Sequence, residues 1–457
     1  MDQMNSEVKV PKRILNTLLS SLAAGVVPRV GAPYIAIGRG EEIGSLLDNL
    51  DTVAEGGSAC RFLIGRYGSG KSFLIQLIRG YALDRGFITA DADLSPERRL
   101  SGGNGAGLAT YRELMSNLAT KACPDGGAIQ TVLSRHLTTL KNELIGEGIF
   151  PDDPKFNAEI KKRAYLSFTG LEEAAHGFDF ARVLGEYYSA SVSDDNDKKS
   201  ACIRYLRGEF ANRTEAKAAL GFSVSAIIND DNWYDFIKLF ATLSTTLGYS
   251  GLVLFIDECV NLYKIPNRIS REANYEKLLS IFNDTLQGKA KSLAVIFGGT
   301  PQFLEDTRRG LFSYDALKSR LANSKYTDLG YRNLSAPVIR LRRLSDNELY
   351  ALVIRLTKLF AQREGMSQPP ITDAEAEKFI TAALSRAGAE EMITPREIIR
   401  DYLTLLGIMR DNPGVKFDDL IRRTEFSTSV DLISATPENI KEKAEQKTKI
   451  GLFDIEI

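Results

Sequence analysis

Residues Gly65-Arg66-Tyr67-Gly68-Ser69-Gly70-Lys71-Ser72 form an ungapped G-x-x-x-x-G-K-[ST] segment, and no other feature of the chain narrows its fold as much. The run before it, Cys60–Ile64, reads as a short buried strand. The run after it, Phe73–Tyr81, reads as a helix with an apolar face. Strand, glycine loop and helix N-terminus in that order make a phosphate-binding loop. Gly65, Gly68 and Gly70 let the backbone curl until its N–H groups point at phosphate oxygens. The next helix adds the positive end of its dipole. Lys71 supplies a point charge for the β- and γ-phosphates, and Ser72 a hydroxyl for Mg²⁺. The ligand implied is ATP with Mg²⁺.

A nucleotide site needs a second half. Leu252–Ile256 is an apolar strand that ends in Asp257-Glu258. At the strand end Asp257 is placed to hold the Mg²⁺ shell. Glu258 is placed to orient and polarise the attacking water. A metal-holding carboxylate beside a base-like one is the pattern of hydrolytic phosphate-loop enzymes and argues against a kinase of this class. A helix over about 274–289 leads to Leu293–Pro301, another buried parallel strand with the polar Thr300 at its carboxyl end. In open α/β sheets the carboxyl edge binds the ligand. Thr300 is therefore either a contact for the γ-phosphate or lytic water, or a helix cap. Phe87–Asp93 and Val338–Leu341 read as two further strands of the sheet. Lys318-Ser319-Arg320-Leu321 follows a short helix-like stretch, Tyr314–Leu317, with Arg308 and Arg309 upstream.

The C-terminal third is helical, and its helix starts are marked by S/T-x-x-E capping boxes at Ser345, Thr372 and Thr394. Helices are expected over about 346–363, 373–387 and 395–410, the last stopped by Asn412-Pro413-Gly414. Arg396 falls in the first turn of its helix, where a cation opposes the dipole unless an anion is near. A phosphate suits that position.

Composition sets limits. With 44% hydrophobic and 26% charged residues the chain reads as a soluble globular protein of two or three domains. No apolar run is long enough to span a bilayer. The stretch Ile14–Val27 is broken by Asn16, Thr17, Ser20 and Ser21, so it reads as an amphipathic helix with Ile14, Leu18 and Leu22 on one stripe, not as a signal peptide. Four scattered cysteines and only two histidines argue for a reducing, cytoplasmic setting and against a zinc site or a Ser-His-Asp mechanism. A net charge of −1 gives no general field for DNA, which stays possible as a partner without sequence support.

This order of parts resembles the AAA+ ATPases, and within them the initiator branch related to origin-recognition proteins. Gly38-Arg39-Gly40-Glu41-Glu42 resembles that branch's Gly-Arg-x-x-Glu box, which wraps the adenine. Ala24–Arg29, Gly38–Ile43, Arg61–Leu74, Leu206–Glu209 and Gly248–Leu252 look more specifically like the BREX-type ATP-binding proteins of bacterial phage-defence loci. The resemblance covers about residues 10–410. It implies an α/β AAA+ core with a parallel sheet, a large helical insertion and an all-helical lid, with ATP between core and lid. Lys71 and Ser72 are then the Walker A pair, and Asp257 and Glu258 the Walker B pair. Thr300 resembles sensor 1, Arg320 the arginine finger with Arg308 or Arg309 as fallback, and Arg396 sensor 2. Gly38 and Arg39 join the nucleotide site by the same analogy.

The resemblance implies a homo-oligomer acting with other defence-complex proteins, either as an energy-using ATPase or as a slowly hydrolysing switch that holds partners. Residues 1–32 are expected as an N-terminal helical segment, 33–343 as the core, 344–411 as the lid and 412–457 as a tail. Lys71 and Asp257 stand 186 residues apart, more than a plain core needs, so about 95–230 is expected to be an insertion where partners dock. Within it Gly102–Gly107 reads as a flexible loop and Ser191–Lys199 as a polar segment. Only 47 residues follow position 410, too few for the winged helix of the origin-recognition relatives, and Glu438–Lys449 reads as a solvated charged stretch.

Overall fold

Five short apolar runs become strands: β1 (Ser58–Ile64), β2 (Ile88–Asp93), β3 (Leu252–Asp257), β4 (Leu293–Gly299) and β5 (Val338–Arg340). In the computed structural model they form one sheet in the order β2-β3-β4-β1-β5, with every pairing parallel. β3 and β4 are buried at every position, which is why they read as unbroken apolar runs with no alternation. The structure describes residues 9–323, 332–385 and 394–423, and the charged stretch Glu438–Lys449 lies outside them. Among the described residues no helix is long and apolar enough to cross a membrane.

The register brings the strand ends level. Asp93 pairs with Asp257, and Ile64 pairs with Gly299 on one side and Arg340 on the other. Parallel strands share a direction, so the carboxyl ends of all five reach one edge. The chain leaves β1 for the far strand β2, while β4 and β5 flank β1. The loop after β1 therefore opens at the topological switch point, where α/β sheets bind ligands. Arg61, inside β1, is buried. Its Nε donates to Asn49 Oδ1 at 2.6 Å and its Nη1 to the carbonyls of Ser335, at 2.9 Å, and Ala336. It thereby ties the segment entering β5 to β1.

Between β2 and β3 run seven α-helices, from Ala106–Ser116 to Trp233–Thr246. They do not form a separate body. Tyr111, Leu133, Phe168, Tyr188 and Trp233 belong to the same continuous apolar core as Phe62, Leu254 and Phe297 of the sheet. The expectation of a flexible loop at Gly102–Gly107 is corrected here, because Ala106 and Gly107 begin the helix Ala106–Ser116. Asp230 caps that helix from far along the chain, accepting from Gly105 N and Leu108 N at 2.8 Å each. Asn274 Oδ1 accepts from Leu100 N and Ser101 N at 2.9 Å each. The polar segment Ser191–Lys199 closes one helix and opens the next, Asn196–Leu206, with Asp195 as its cap.

Residues 39–343 form one compact unit, and residues up to 38 with those from 344 onward form the other. In the second unit, helix Lys12–Ala23 buries Leu15, Leu18, Leu19 and Leu22 and packs on Asp346–Glu364 and Pro395–Asp411. The apolar stripe thus runs through Leu18 and Leu22, while Ile14 is half-buried at its margin. All three capping boxes form, each with the reciprocal glutamate bond. Asn412 ends the helix Pro395–Asp411. The helix expected over 373–387 spans Asp373–Leu384, and residues 386 and 387 lie outside the described residues. Thr357 and Tyr402, both buried, share a hydrogen bond of 2.5 Å inside this bundle.

Asp230→Ala removes both acceptors at the start of helix Ala106–Ser116. Stability should fall by about 1–2 kcal/mol, the usual cost of a lost helix cap. The midpoint of urea unfolding measures it, and an unchanged midpoint would mean that water replaces Asp230 at no cost.

Candidate functional site

The glycine loop has the backbone that its sequence demands. Gly68 and Gly70 take left-handed φ of 72° and 92°, and Gly70 stands immediately before helix Lys71–Asp84. The loop begins under restraint, with Gly65 N donating to Gly299 O at 3.1 Å. Buried Lys71 donates from Nζ to Gly65 O at 2.8 Å and Arg66 O at 3.0 Å, and lies 5.5 Å from the centre of the Tyr67 ring. Ser69 Oγ is a buried hydroxyl for which the structure provides no hydrogen-bond partner. An orphaned hydroxyl in a glycine loop before a helix N-terminus is what a phosphate oxygen satisfies.

The end of β3 meets this loop directly. Ser72 Oγ donates to Asp257 Oδ2 at 2.8 Å, and Asp257 Oδ1 accepts from Glu258 N at 2.8 Å. Room for Asp257 comes from β4, because a Cβ on Gly298 would collide with Asp257 Oδ1. Glu258 itself has a left-handed φ of 56°, rare for a residue with a side chain. Such strain costs of order 1–3 kcal/mol and gathers at functional sites. A hydroxyl and a carboxylate oxygen converging beside a phosphate loop form a hard-oxygen donor set. That set suits Mg²⁺, which takes one or two protein oxygens and completes its shell with phosphate and water.

A third carboxylate joins them. Asp93 ends β2 opposite Asp257. Loss of water around its carboxyl, then the charges of Asp257, Glu258 and Asp91, pushes it up to about 6, with Arg98 opposing the shift, although the residue keeps an exposed face. Partial burial, then the same Glu258 and Asp257 charges, push the Tyr67 phenol up, while 58% of the residue stays exposed. Neither residue stands out in the sequence as a site residue. Asp93 carries a usable signal all the same, an acid closing an apolar strand as Asp257 does.

The remaining candidates fall out differently. Thr300 caps helix Pro301–Glu305, accepting from Phe303 N at 3.3 Å. Arg320 does not follow a helix that ends at Leu317. It lies inside helix Asp315–Leu321, exposed, with Nη1 donating to Ala316 O at 2.7 Å. Arg309 is engaged within its own unit, donating to Lys264 O and Ile265 O and lying over the Tyr263 ring. Arg308 is exposed. Arg39 is buried and donates from Nη2 to Ser69 O of the loop at 3.0 Å. Gly38 belongs to the other unit, where a Cβ on it would come within 2.7 Å of Glu348 Cδ. Arg396, exposed, opens helix Pro395–Asp411, and its Cδ is 4.0 Å from where a Cβ on Gly25 would stand. The structure thus brings together Gly65, Gly68, Gly70, Lys71, Ser72, Arg39, Asp257 and Glu258, and adds Asp93, Tyr67 and Ser69.

Gly298→Ala sets a methyl group against the Asp257 carboxylate. Overpacking of this kind costs about 1–3 kcal/mol in stability, and Asp257 must move away from Ser72. Nucleotide binding in Mg²⁺ should weaken more than binding in EDTA. Equal losses in the two titrations would detach Asp257 from the metal.

No curated protein matches the chain. The family model described as BREX system ATP-binding protein BrxC/D matches residues 10–425, which takes in the sheet, the glycine loop, the Asp257-Glu258 strand end and the helices before and after them in the chain. With nearly the whole chain matched, this protein belongs to the BrxC/D family of BREX system ATP-binding proteins.

Proposed function

We propose that the chain is an AAA+ ATPase that works in the cytoplasm within a phage-defence complex. The observation that carries this reading is the 2.8 Å hydrogen bond between Ser72 and Asp257, with Glu258 the next residue. The two expected metal-holding groups meet there, and the expected base stands beside them. The strand order β2-β3-β4-β1-β5 and the helical unit after the sheet support the AAA+ assignment. Membership of a BREX family supports the defence role and other proteins of that system as partners.

In this reading the loop N–H groups, Lys71 and the Ser69 hydroxyl bind the phosphates of ATP. Ser72 and Asp257 would hold Mg²⁺, which when bound neutralises phosphate charge. Glu258 orients and polarises the attacking water. Thr300 at the end of β4 lies along the same sheet edge as a polar contact. Arg396 and the Gly38-Arg39 stretch keep the nucleotide-binding roles that the family resemblance implies. Exposed Arg320 serves as the arginine finger for the site of a neighbouring copy, which makes the active form a homo-oligomer.

Two variants separate binding from chemistry. Lys71→Ala should abolish most binding of a fluorescent ATP analogue. Glu258→Gln should bind it like the wild type yet hydrolyse ATP about 10²–10⁴ times more slowly, the usual cost of losing a general base. Hydrolysis by Glu258→Gln near the wild-type rate removes that residue from the mechanism. A wild-type chain that binds ATP without turnover favours a slow switch over an energy-using ATPase.

Arg320→Ala should leave ATP affinity intact and lower turnover by about 10³–10⁵, the range for arginine fingers. Mixing Arg320→Ala chains with Lys71→Ala chains should restore part of the activity, because one supplies the loop and the other the finger. A mixture that stays inactive, with activity per chain independent of concentration, places Arg320 outside any shared site.

A further inference from the structure

We infer that Arg39, Glu42 and Arg332 position the phosphate loop, with Arg39 holding the Ser69 carbonyl and Arg332 holding Arg39 through the Glu42 carboxylate that the two arginines share. The inference rests on the reading that Gly65–Ser72 holds nucleotide phosphates, and it gives Arg39 a part on the loop in addition to the one the resemblance implies.

The geometry is specific. Glu42 Oε1 lies 3.5 Å from Arg39 Nη1 and 2.7 Å from Arg332 Nη2. Arg332 Nη1 also pairs with Glu41. The Arg39 and Glu42 side chains are 5% and 1% exposed, whereas that of Arg332 is 36% exposed. A carboxylate buried this fully must be paired, and it is paired on both sides. The other fork of Arg39 reaches Ser69 O at 3.0 Å.

The Ser69 carbonyl is no idle acceptor. It shares one rigid peptide plane with the N–H of Gly70, and in a trans peptide the two point in opposite directions. Fixing the carbonyl therefore fixes the direction of the Gly70 N–H, which on the nucleotide reading is one of the loop's donors to phosphate. Gly70, at φ 92° and without a Cβ, gives that plane little resistance to flipping. A guanidinium on the carbonyl supplies the resistance. Arg39 is suited to this, because its planar guanidinium donates to the carbonyl from Nη2 while Nη1 keeps its charge beside the Glu42 carboxylate, an ion pair at 3.5 Å without a hydrogen bond.

The far end is anchored as well. The segment that carries Arg332 into β5 is held by Ser45 Oγ on Leu334 O at 2.8 Å and by Arg61 Nη1 on Ser335 O at 2.9 Å. Ser45 sits on helix Gly40–Ala54, which begins immediately after Arg39. The Arg332 guanidinium thus works from a fixed base, two ion pairs away from the loop.

Titration of a fluorescent ATP analogue with Mg²⁺ tests this in wild type, Lys71→Ala, Arg39→Ala, Arg39→Lys, Arg332→Ala and the Arg39→Ala/Arg332→Ala double variant, each with a melting temperature. Arg332→Ala, at the surface, should fold with a melting temperature close to wild type and bind about three- to thirtyfold more weakly, the range over which a networked residue modulates a distant site. Arg39→Ala should lose at least as much, and the double variant no more than Arg39→Ala, because the coupling runs through Arg39. Arg39→Lys should not restore affinity, since one ammonium lacks the fork. A merely structural role lowers the melting temperature and leaves affinity alone. The inference falls if Arg332→Ala binds within twofold of wild type while Lys71→Ala has lost binding, and it falls if the two arginine losses add. Lys71→Ala that binds like wild type overturns the loop reading itself, and the inference with it. Should Arg39→Ala fail to fold, Arg332→Ala alone still decides.

Discussion

The hydrogen bond between Ser72 and Asp257 joins residues 185 positions apart, and the arrangement of the site depends on it. It exists because β1 and β3 run parallel on either side of β4, so that the loop after one and the carboxylate ending the other reach the same edge. It also depends on an absence. Gly298 of β4 has no side chain where Asp257 Oδ1 lies. A parallel sheet cannot be joined by tight hairpins and needs crossovers. The crossover from β2 to β3 is where this chain carries its seven helices.

Electrostatics at that edge has one direction. Burial, then the like charges of Asp257, Glu258 and Asp91, push Asp93 up to about 6. Repulsion of this kind is stronger away from bulk water, where the effective dielectric is low. The backbone adds to the tension, because Glu258 is held in a left-handed conformation by its neighbours and not by any preference of its own. The cation of the loop, Lys71, is the residue next to Ser72, which bonds Asp257. The Arg39–Glu42–Arg332 set meets the loop at the Ser69 carbonyl, where it acts on backbone direction.

Much of this was legible in advance wherever the signal was local. The strand ending in Asp257-Glu258 appears within a residue of its expected end, and the helix starts at Ser345, Thr372 and Thr394 appear at their capping boxes. A cap depends on atoms three residues apart, so a short window of sequence contains all of it. Thr300 shows the limit of such windows. A polar residue after a buried strand and before Pro301 fits a cap and a ligand contact equally, and the structure displays the cap. The stretch Gly102–Gly107 shows the opposite failure. Its glycines suggest freedom, yet Asp230 and Asn274 hold the adjoining backbone from more than 120 positions away.

By itself the sequence determined that this chain has a glycine loop between a strand and a helix, a second strand ending in paired carboxylates and a capped helical third, because each is encoded by residues that touch their neighbours in the chain. Only the tertiary structure decided that Asp93 joins those carboxylates, that Gly298 makes room for Asp257, and that Arg332 reaches Arg39 through Glu42. Those relations depend on strand order and on how segments far apart in sequence pack. A periodicity of apolar residues says that a face is buried, but not against which other segment it is buried.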